Sequence, residues 1–150
     1  VGSNYTFQKE TIEKCWDEVR KLTTSHNKEC GIFPDETLEP NREFYELAQR
    51  RGANRGFTAR ISGRLAAYAN FWVFESHFHK GQIWATQDVL YVKLEHRGIM
   101  AVRFIKWCDD ELKKDGIDVV IQHVPKNNGL EKILSHMGYQ FLQRSFWRKL

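Results

Sequence analysis

Proline occurs only three times in this 150-residue sequence, and no Ser/Gly or Gln/Asn tract interrupts it, which argues against a disordered or low-complexity chain. Long apolar runs are missing too. None approaches the ~20 residues of a membrane helix, and the opening Val1-Gly2-Ser3-Asn4 lacks the basic-then-apolar order of a signal peptide. A cytoplasmic protein with no membrane partner is therefore expected. Cysteine is equally sparse. Cys15, Cys30 and Cys108 are odd in number and show no CxxC spacing, so neither a disulfide framework nor a zinc site is indicated. His77 and His79 lie two apart with Glu75 nearby and His96 further on, but spacing places no third ligand. They read as a solvated loop, and no metal is expected.

What is present is apolar and charged material in ordinary proportion, 41% and 28% of residues, enough for one globular domain over residues 1–150 with a single core. Net charge is +4, from 23 Lys and Arg against 19 Asp and Glu, a mild excess suited to an anionic ligand. Six arginines fall between positions 42 and 64 (Arg42, Arg50, Arg51, Arg55, Arg60 and Arg64). Two readings stay open there: a solvated face, and a nucleic-acid contact through Arg42, Arg50, Arg51 and Arg55.

Periodicity orders the chain. Ile12, Cys15, Trp16, Val19 and Leu22 recur at three and four residues, predicting a helix over 7–22. Residues 23–40 lose that period and contain Gly31, Pro34 and Pro40, the marks of a loop. A second helix is predicted over 42–50, with Phe44, Leu47 and Ala48 inward and Gly52 beyond its end. Residues 57–61 and 65–74 read as a hairpin turning at Ser62-Gly63. A central strand follows over 82–92, then a helix over 99–115 stopped by Gly116. A strand over 119–124 leads to a short helix that Asn127 or Asn128 could cap, and 139–142 with 145–150 read as a final strand pair. The fold class is α/β: a mixed, mostly antiparallel sheet flanked by helices, with a C-terminal βαβ unit.

A strand that runs through Arg97-Gly98 into a helix makes an anion site, because the first helical N–H groups lack internal partners and the dipole is positive there. Arg97, Arg103 and Lys106 add positive charge. The run from Asp88 to Ile105, with Arg97-Gly-Ile-Met-Ala-Val-Arg103 at its centre, resembles motif A of the GNAT superfamily of acyl-CoA-dependent N-acyltransferases. The likeness extends from Phe57 onward, through the preceding hairpin, the 119–124 strand, Asn128 and the Leu134-Ser-His-Met-Gly-Tyr139 ending. The pattern Arg-Gly-x-x-Ala-x-Arg is similar to that of phage-encoded members.

The resemblance implies a GNAT-like fold, acetyl-CoA as cofactor, and acetyl transfer to a primary amine by a monomer or homodimer. It implies that Leu90, Tyr91 and Val92 align pantetheine in a gap beside the central strand. Arg97, Gly98, Ile99, Met100, Ala101, Val102 and Arg103, with Asn128, would hold the rest of coenzyme A. Asp88 falls near the family's acidic general base, with Glu75 in reserve; a structural carboxylate is the alternative for Asp88. Two departures stand out. Aligning the family's loop, Gln/Arg-x-x-Gly-x-Gly/Ala, on Arg97 puts Met100 and Val102 where its small residues belong, and Leu134 replaces the usual general-acid Tyr. They leave open a non-catalytic relative, and with it a nucleic-acid-associated protein on the same fold, as a binding module or as a modifier of a base or a DNA-bound protein.

Overall fold

Tyr5 and Phe7 alternate with Thr6 and Gln8, the period of a strand, and the computed structural model, which describes residues 4–125 and 129–150, opens on β1 (Tyr5–Lys9). The helix expected from residue 7 begins at Ile12. Phe7 is claimed by the sheet because its ring packs on Phe104 and Trp107, at 5.6 and 5.9 Å between centroids. Helix α1 (Ile12–Cys30) then runs eight residues past the expected end. Its polar last turns are held by tertiary contacts. The Asn27 side-chain amide donates to the Phe33 and Glu36 carbonyls at 2.8 and 3.0 Å, and His26 stacks on Tyr91.

Helix α2 (Arg42–Arg50) has the expected limits, with Asn41 Oδ1 accepting from the Phe44 N–H at 3.0 Å as its N-cap. Its expected inner face does not hold. Phe44 and Leu47 are exposed, and Tyr45 turns inward to stack on Trp72 at 5.3 Å.

Strands β2 (Asn54–Ile61) and β3 (Arg64–Glu75) form the predicted hairpin, and β4 (Ile83–Val92) completes an antiparallel run β1-β2-β3-β4. The hairpin turns on Ser62 and Gly63, both at positive φ (48° and 76°), the pairing of a tight two-residue turn with the strands' own twist. A single 3-10 turn (Leu94–His96) leads to α3 (Ile99–Lys114), and β5 (Val119–Ile121) returns parallel to β4, closing the expected βαβ unit. Helix α4 (Leu130–His136) follows. Asn127 and Asn128 lie outside the described residues.

No strand forms in residues 139–150, against the expected final pair. Trp147 instead meets Phe33 edge-on at 5.1 Å, and Lys149 Nζ reaches Glu36 at 3.3 Å, which carries the tail to the α1–α2 connection rather than to the free edge of β5.

Each face of the sheet has its own helix. Phe57, Ala69, Phe71 and Val92 pack on Met100, Phe104, Cys108 and Leu112 of α3. Leu65, Tyr68 and Tyr91 meet Val19 and Leu22 of α1 in a smaller cluster, and the space left on that side bears on function. Among the described residues, no helix is long and apolar enough to cross a membrane.

Candidate active site

Strict alternation along β4 would put Asp88 and Val89 on opposite faces of the sheet. The β3–β4 register slips between Asn70 and Phe71, with Asn70 opposite Val89 and Phe71 opposite Gln87. Asp88 is thus the extra residue of a β-bulge. The bulge brings Asp88 and Val89 together on the wall of a cavity of about 530 Å³ between the sheet and α1. There Asp88 Oδ2 accepts from the Tyr45 hydroxyl at 2.7 Å and from Asn70 Nδ2 at 3.3 Å. Burial, then the Asp88 carboxylate, push the Tyr45 phenol well above its ordinary value, so Tyr45 remains a donor. Asn70 is 5% exposed, and its Oδ1 has no hydrogen-bond partner among the described residues. Deeper in the same cavity wall, His26 Nδ1 lies 2.8 Å from the Tyr68 hydroxyl, and burial lowers the imidazole's pKa.

Beyond the bulge the sheet opens. β5 pairs with β4 at Trp84, Ala85 and Thr86, then ends while β4 continues to Val92. Among the described residues no strand pairs with the β4 edge at Leu90, Tyr91 and Val92, which therefore faces a gap. His123 sits at the head of that gap, its N–H donating to Gln87 Oε1 at 3.2 Å and its Nε2 lying 3.0 Å from Thr86 Oγ1.

The gap leads to the start of α3. Gly98 adopts φ 98°, ψ −133°, a region open essentially to glycine, and a Cβ there would meet nothing within 4 Å. The first ladder bond runs from the Val102 N–H to the Gly98 carbonyl at 3.3 Å, so the N–H groups of Ile99, Met100 and Ala101 precede it. No acidic residue occupies this first turn. Met100 is buried in the α3 core, and Val102 lines a groove with Ile133 of α4 and Met137 just past its end. Their bulk, unexpected at glycine positions, is thus directed into packing. An open, acid-free helix N-terminus of this kind fits a pyrophosphate.

Several expected residues come together here and others do not. Asp88, Leu90, Tyr91 and Val92 follow one another on β4, which leads through the 3-10 turn and Gly98 into α3, where Arg103 is exposed. Arg97 is committed elsewhere. Its Nε donates to the Val92 carbonyl at 3.0 Å, its Nη2 to Glu29 at 2.6 Å, and its guanidinium lies over the Tyr91 ring, fastening the end of β4 to α1. Glu75 lies opposite Ile83 at the far end of the β3–β4 pair and accepts from the Gly81 N–H, away from Asp88. Asn128 lies outside the described residues. Leu134 is buried, and the Tyr139 hydroxyl donates to Asp109 on α3 at 2.7 Å.

Sequence reasoning missed Tyr45, Asn70, His26 and His123. Asn70 had a signal, as a lone amide in the apolar run 65–74; Tyr45 had none beyond its place beside Phe44. Three of the six arginines between positions 42 and 64 are paired with carboxylates. Arg42 pairs with Glu46, Arg55 with Asp115, and Arg60 with Glu10 and Glu18, leaving Arg50 and Arg51 exposed at the end of α2 and Arg64 at the hairpin turn.

No family model matches the sequence, and no curated protein matches it at a significant level. Solved structures do. The chain is similar to a GCN5-related N-acetyltransferase from Ralstonia eutropha JMP134 at TM-score 0.77 and 16% identity, over 97% of this chain and 99% of that one. It is similar to a ribosomal-protein-alanine N-acetyltransferase from Brucella melitensis biovar Abortus 2308 at TM-score 0.73 and 16% identity, over 98% and 99%. A predicted acetyltransferase with acetyl-CoA from Clostridium acetobutylicum matches at TM-score 0.68 and 14% identity, over 98% and 96%. The fold is that of the GNAT acetyltransferases.

Proposed function

We propose that this chain is an acyl-CoA-dependent N-acyltransferase that moves an acetyl group from acetyl-CoA to a primary amine. One observation carries the reading: a bulge carboxylate, an unpaired strand edge and a bare helix N-terminus follow one another along β4 and into α3. The N–H groups of Ile99, Met100 and Ala101 would hold the pyrophosphate, and the free edge at Leu90, Tyr91 and Val92 the pantetheine amides. Acetyl-CoA, when bound, supplies an activated acyl group as a thioester.

The residues around Asp88 handle the amine. Amines are protonated near neutral pH and become nucleophilic only on losing a proton, so a carboxylate within reach is needed to take it. Tyr45 and Asn70 both bond Oδ2 of Asp88, which fixes the carboxylate's plane and leaves Oδ1 to receive the amine proton. Walls of Trp16, Val19 and Phe33 limit water around that transfer.

The test is acetyl-CoA binding by calorimetry together with thiol release in the presence of amines. Binding at micromolar to sub-millimolar ligand is expected, with Asp88→Asn lowering turnover at least about tenfold and leaving acetyl-CoA affinity within a few-fold. No binding at millimolar acetyl-CoA by folded protein would remove the proposal.

A further inference from the structure

The cavity beneath α1 says more about the acceptor than the β4 motif does. Its walls are mainly apolar and aromatic, with Ile12, Trp16, Val19, Phe33 and Leu38 contributing. Its volume, about 530 Å³, is that of a site for a small organic molecule. Three carboxylates line it, Asp88 at the bulge and Glu36 and Glu39 on the α1–α2 connection, against one guanidinium, Arg20. Lys149 of the tail already engages Glu36.

On the sheet side of the chamber the acceptor is Asp88. Its Oδ2 is taken up by the Tyr45 hydroxyl and Asn70 Nδ2, which leaves Oδ1 to face a ligand. A carboxylate held in this way at the wall of a mainly apolar chamber asks for one N–H-rich head on a hydrophobic body.

Resting on the acyltransferase reading, we infer that the acceptor is a compact amphipathic monoamine: one primary amino group seated at Oδ1 of Asp88, and an aromatic or branched apolar body against Trp16, Val19 and Phe33. A polyamine or an aminoglycoside would bring further ammonium and hydroxyl groups into apolar walls. A peptide N-terminus would bring backbone N–H and C=O groups with nothing to bond. The ammonium yields one proton to Asp88. The neutral nitrogen then forms the new C–N bond as the acyl carbon–sulfur bond breaks, and the leaving thiolate takes up the second proton that nitrogen loses, so that CoA departs as the thiol.

The experiment compares 2-phenylethylamine, spermidine, sisomicin and an alanine-initiated peptide in two assays: calorimetric binding to protein saturated with CoA, and thiol release from acetyl-CoA. For 2-phenylethylamine, both affinity and kcat/KM should exceed those of the other three by about tenfold or more, since an imperfectly paired polar group costs one to several kcal/mol. Asn70→Leu should weaken 2-phenylethylamine binding about tenfold by removing the amide that orients Asp88, and Val19→Trp should abolish it by filling the chamber, with acetyl-CoA affinity unchanged in both. Val19 is half-buried, so this second variant tests the site even if Asn70→Leu does not fold. Should acetyl-CoA bind and spermidine, sisomicin or the peptide be acetylated as well as 2-phenylethylamine, the amphipathic monoamine is wrong and acyl transfer stands. Should 2-phenylethylamine bind and respond to both variants with no thiol released, the amine site stands and acyl transfer falls. Failure of 2-phenylethylamine to bind overturns the inference.

Discussion

The Tyr45 hydroxyl donates to Asp88 Oδ2 across 2.7 Å, joining α2 to the bulge of β4. Tyr45 also stacks on Trp72 of β3 and lies 6.3 Å from Trp16 of α1, so a single side chain ties both helices on this side of the sheet to the carboxylate. An acid–base group works only if its geometry is held by neighbours.

Tyr45→Phe keeps the ring and removes the bond. We expect kcat to fall about tenfold or more, as loss of one hydrogen bond to a charged group costs roughly 1.5–3 kcal/mol, with acetyl-CoA affinity unchanged. The ring stack should preserve the melting temperature within a few degrees. Steady-state kinetics beside a thermal melt separate the two effects; an unchanged kcat would show that Tyr45 only packs.

The sheet core and the βαβ unit were legible in the sequence because β2, β3 and β4 are rich in β-branched and aromatic residues, and because α3 repeats its apolar positions at helical spacing. Asp88 was legible only through resemblance to a family. The bulge that turns it into the cavity is a property of strand pairing, which no local pattern encodes. Helix α1 extends beyond the reading from sequence because its apolar period ends at Leu22, whereas Tyr68, Tyr91 and the Phe33 and Glu36 carbonyls supply partners for His26 and Asn27 in its last turns. Phe44 was expected inward and is exposed, while its neighbour Tyr45 points to the sheet. One residue's difference in helix phase decided which of the two belongs to the site.

Ile99 is 74% exposed at the first position of α3, where a side chain can be changed without disturbing the core. Ile99→Asp should strengthen the helix slightly by placing negative charge at its positive end. The same charge would repel a bound pyrophosphate, so acetyl-CoA affinity should drop about tenfold or more while the melting temperature holds or rises. Calorimetry against acetyl-CoA measures the first effect and thermal unfolding the second. Unaltered affinity would place the phosphates elsewhere.

Asp109 on α3 accepts from the Tyr139 hydroxyl, and burial, which that bond only partly offsets, lifts its carboxyl from 3.8 to about 6. The folded state therefore keeps this proton through a range in which the unfolded chain has lost it. Stability from this group falls as pH rises from about 4 to about 6. Asp109→Asn removes that loss. The melting temperature of the variant minus that of the wild type should increase across this window and level off above it; a flat difference would mean Asp109 is ionised in the fold at acid pH.

Arg60 is the one arginine of the 42–64 stretch bound to two carboxylates, Glu10 Oε1 at 3.0 Å and Glu18 Oε2 at 2.5 Å, with Thr58 also donating to Glu10. Burial pushes Glu10 upward, but the hydrogen bonds from Arg60 and Thr58 outweigh it and leave its carboxyl below the usual 4.5. Arg60 directly lowers Glu18 as well. Groups depressed in the fold contribute stability that is complete above their unfolded values and is lost as pH falls through the folded ones. Arg60→Gln should therefore cost about 2 kcal/mol or more at neutral pH, since it strands Glu10 beneath α1. The deficit should shrink as pH drops below 4.5 and both carboxyls protonate in variant and wild type alike. Urea unfolding of the two proteins from pH 7 to pH 3 gives the curve directly. A deficit that does not change with pH would show that Arg60 stabilises β1, α1 and β2 through its alkyl chain alone, not through its charge.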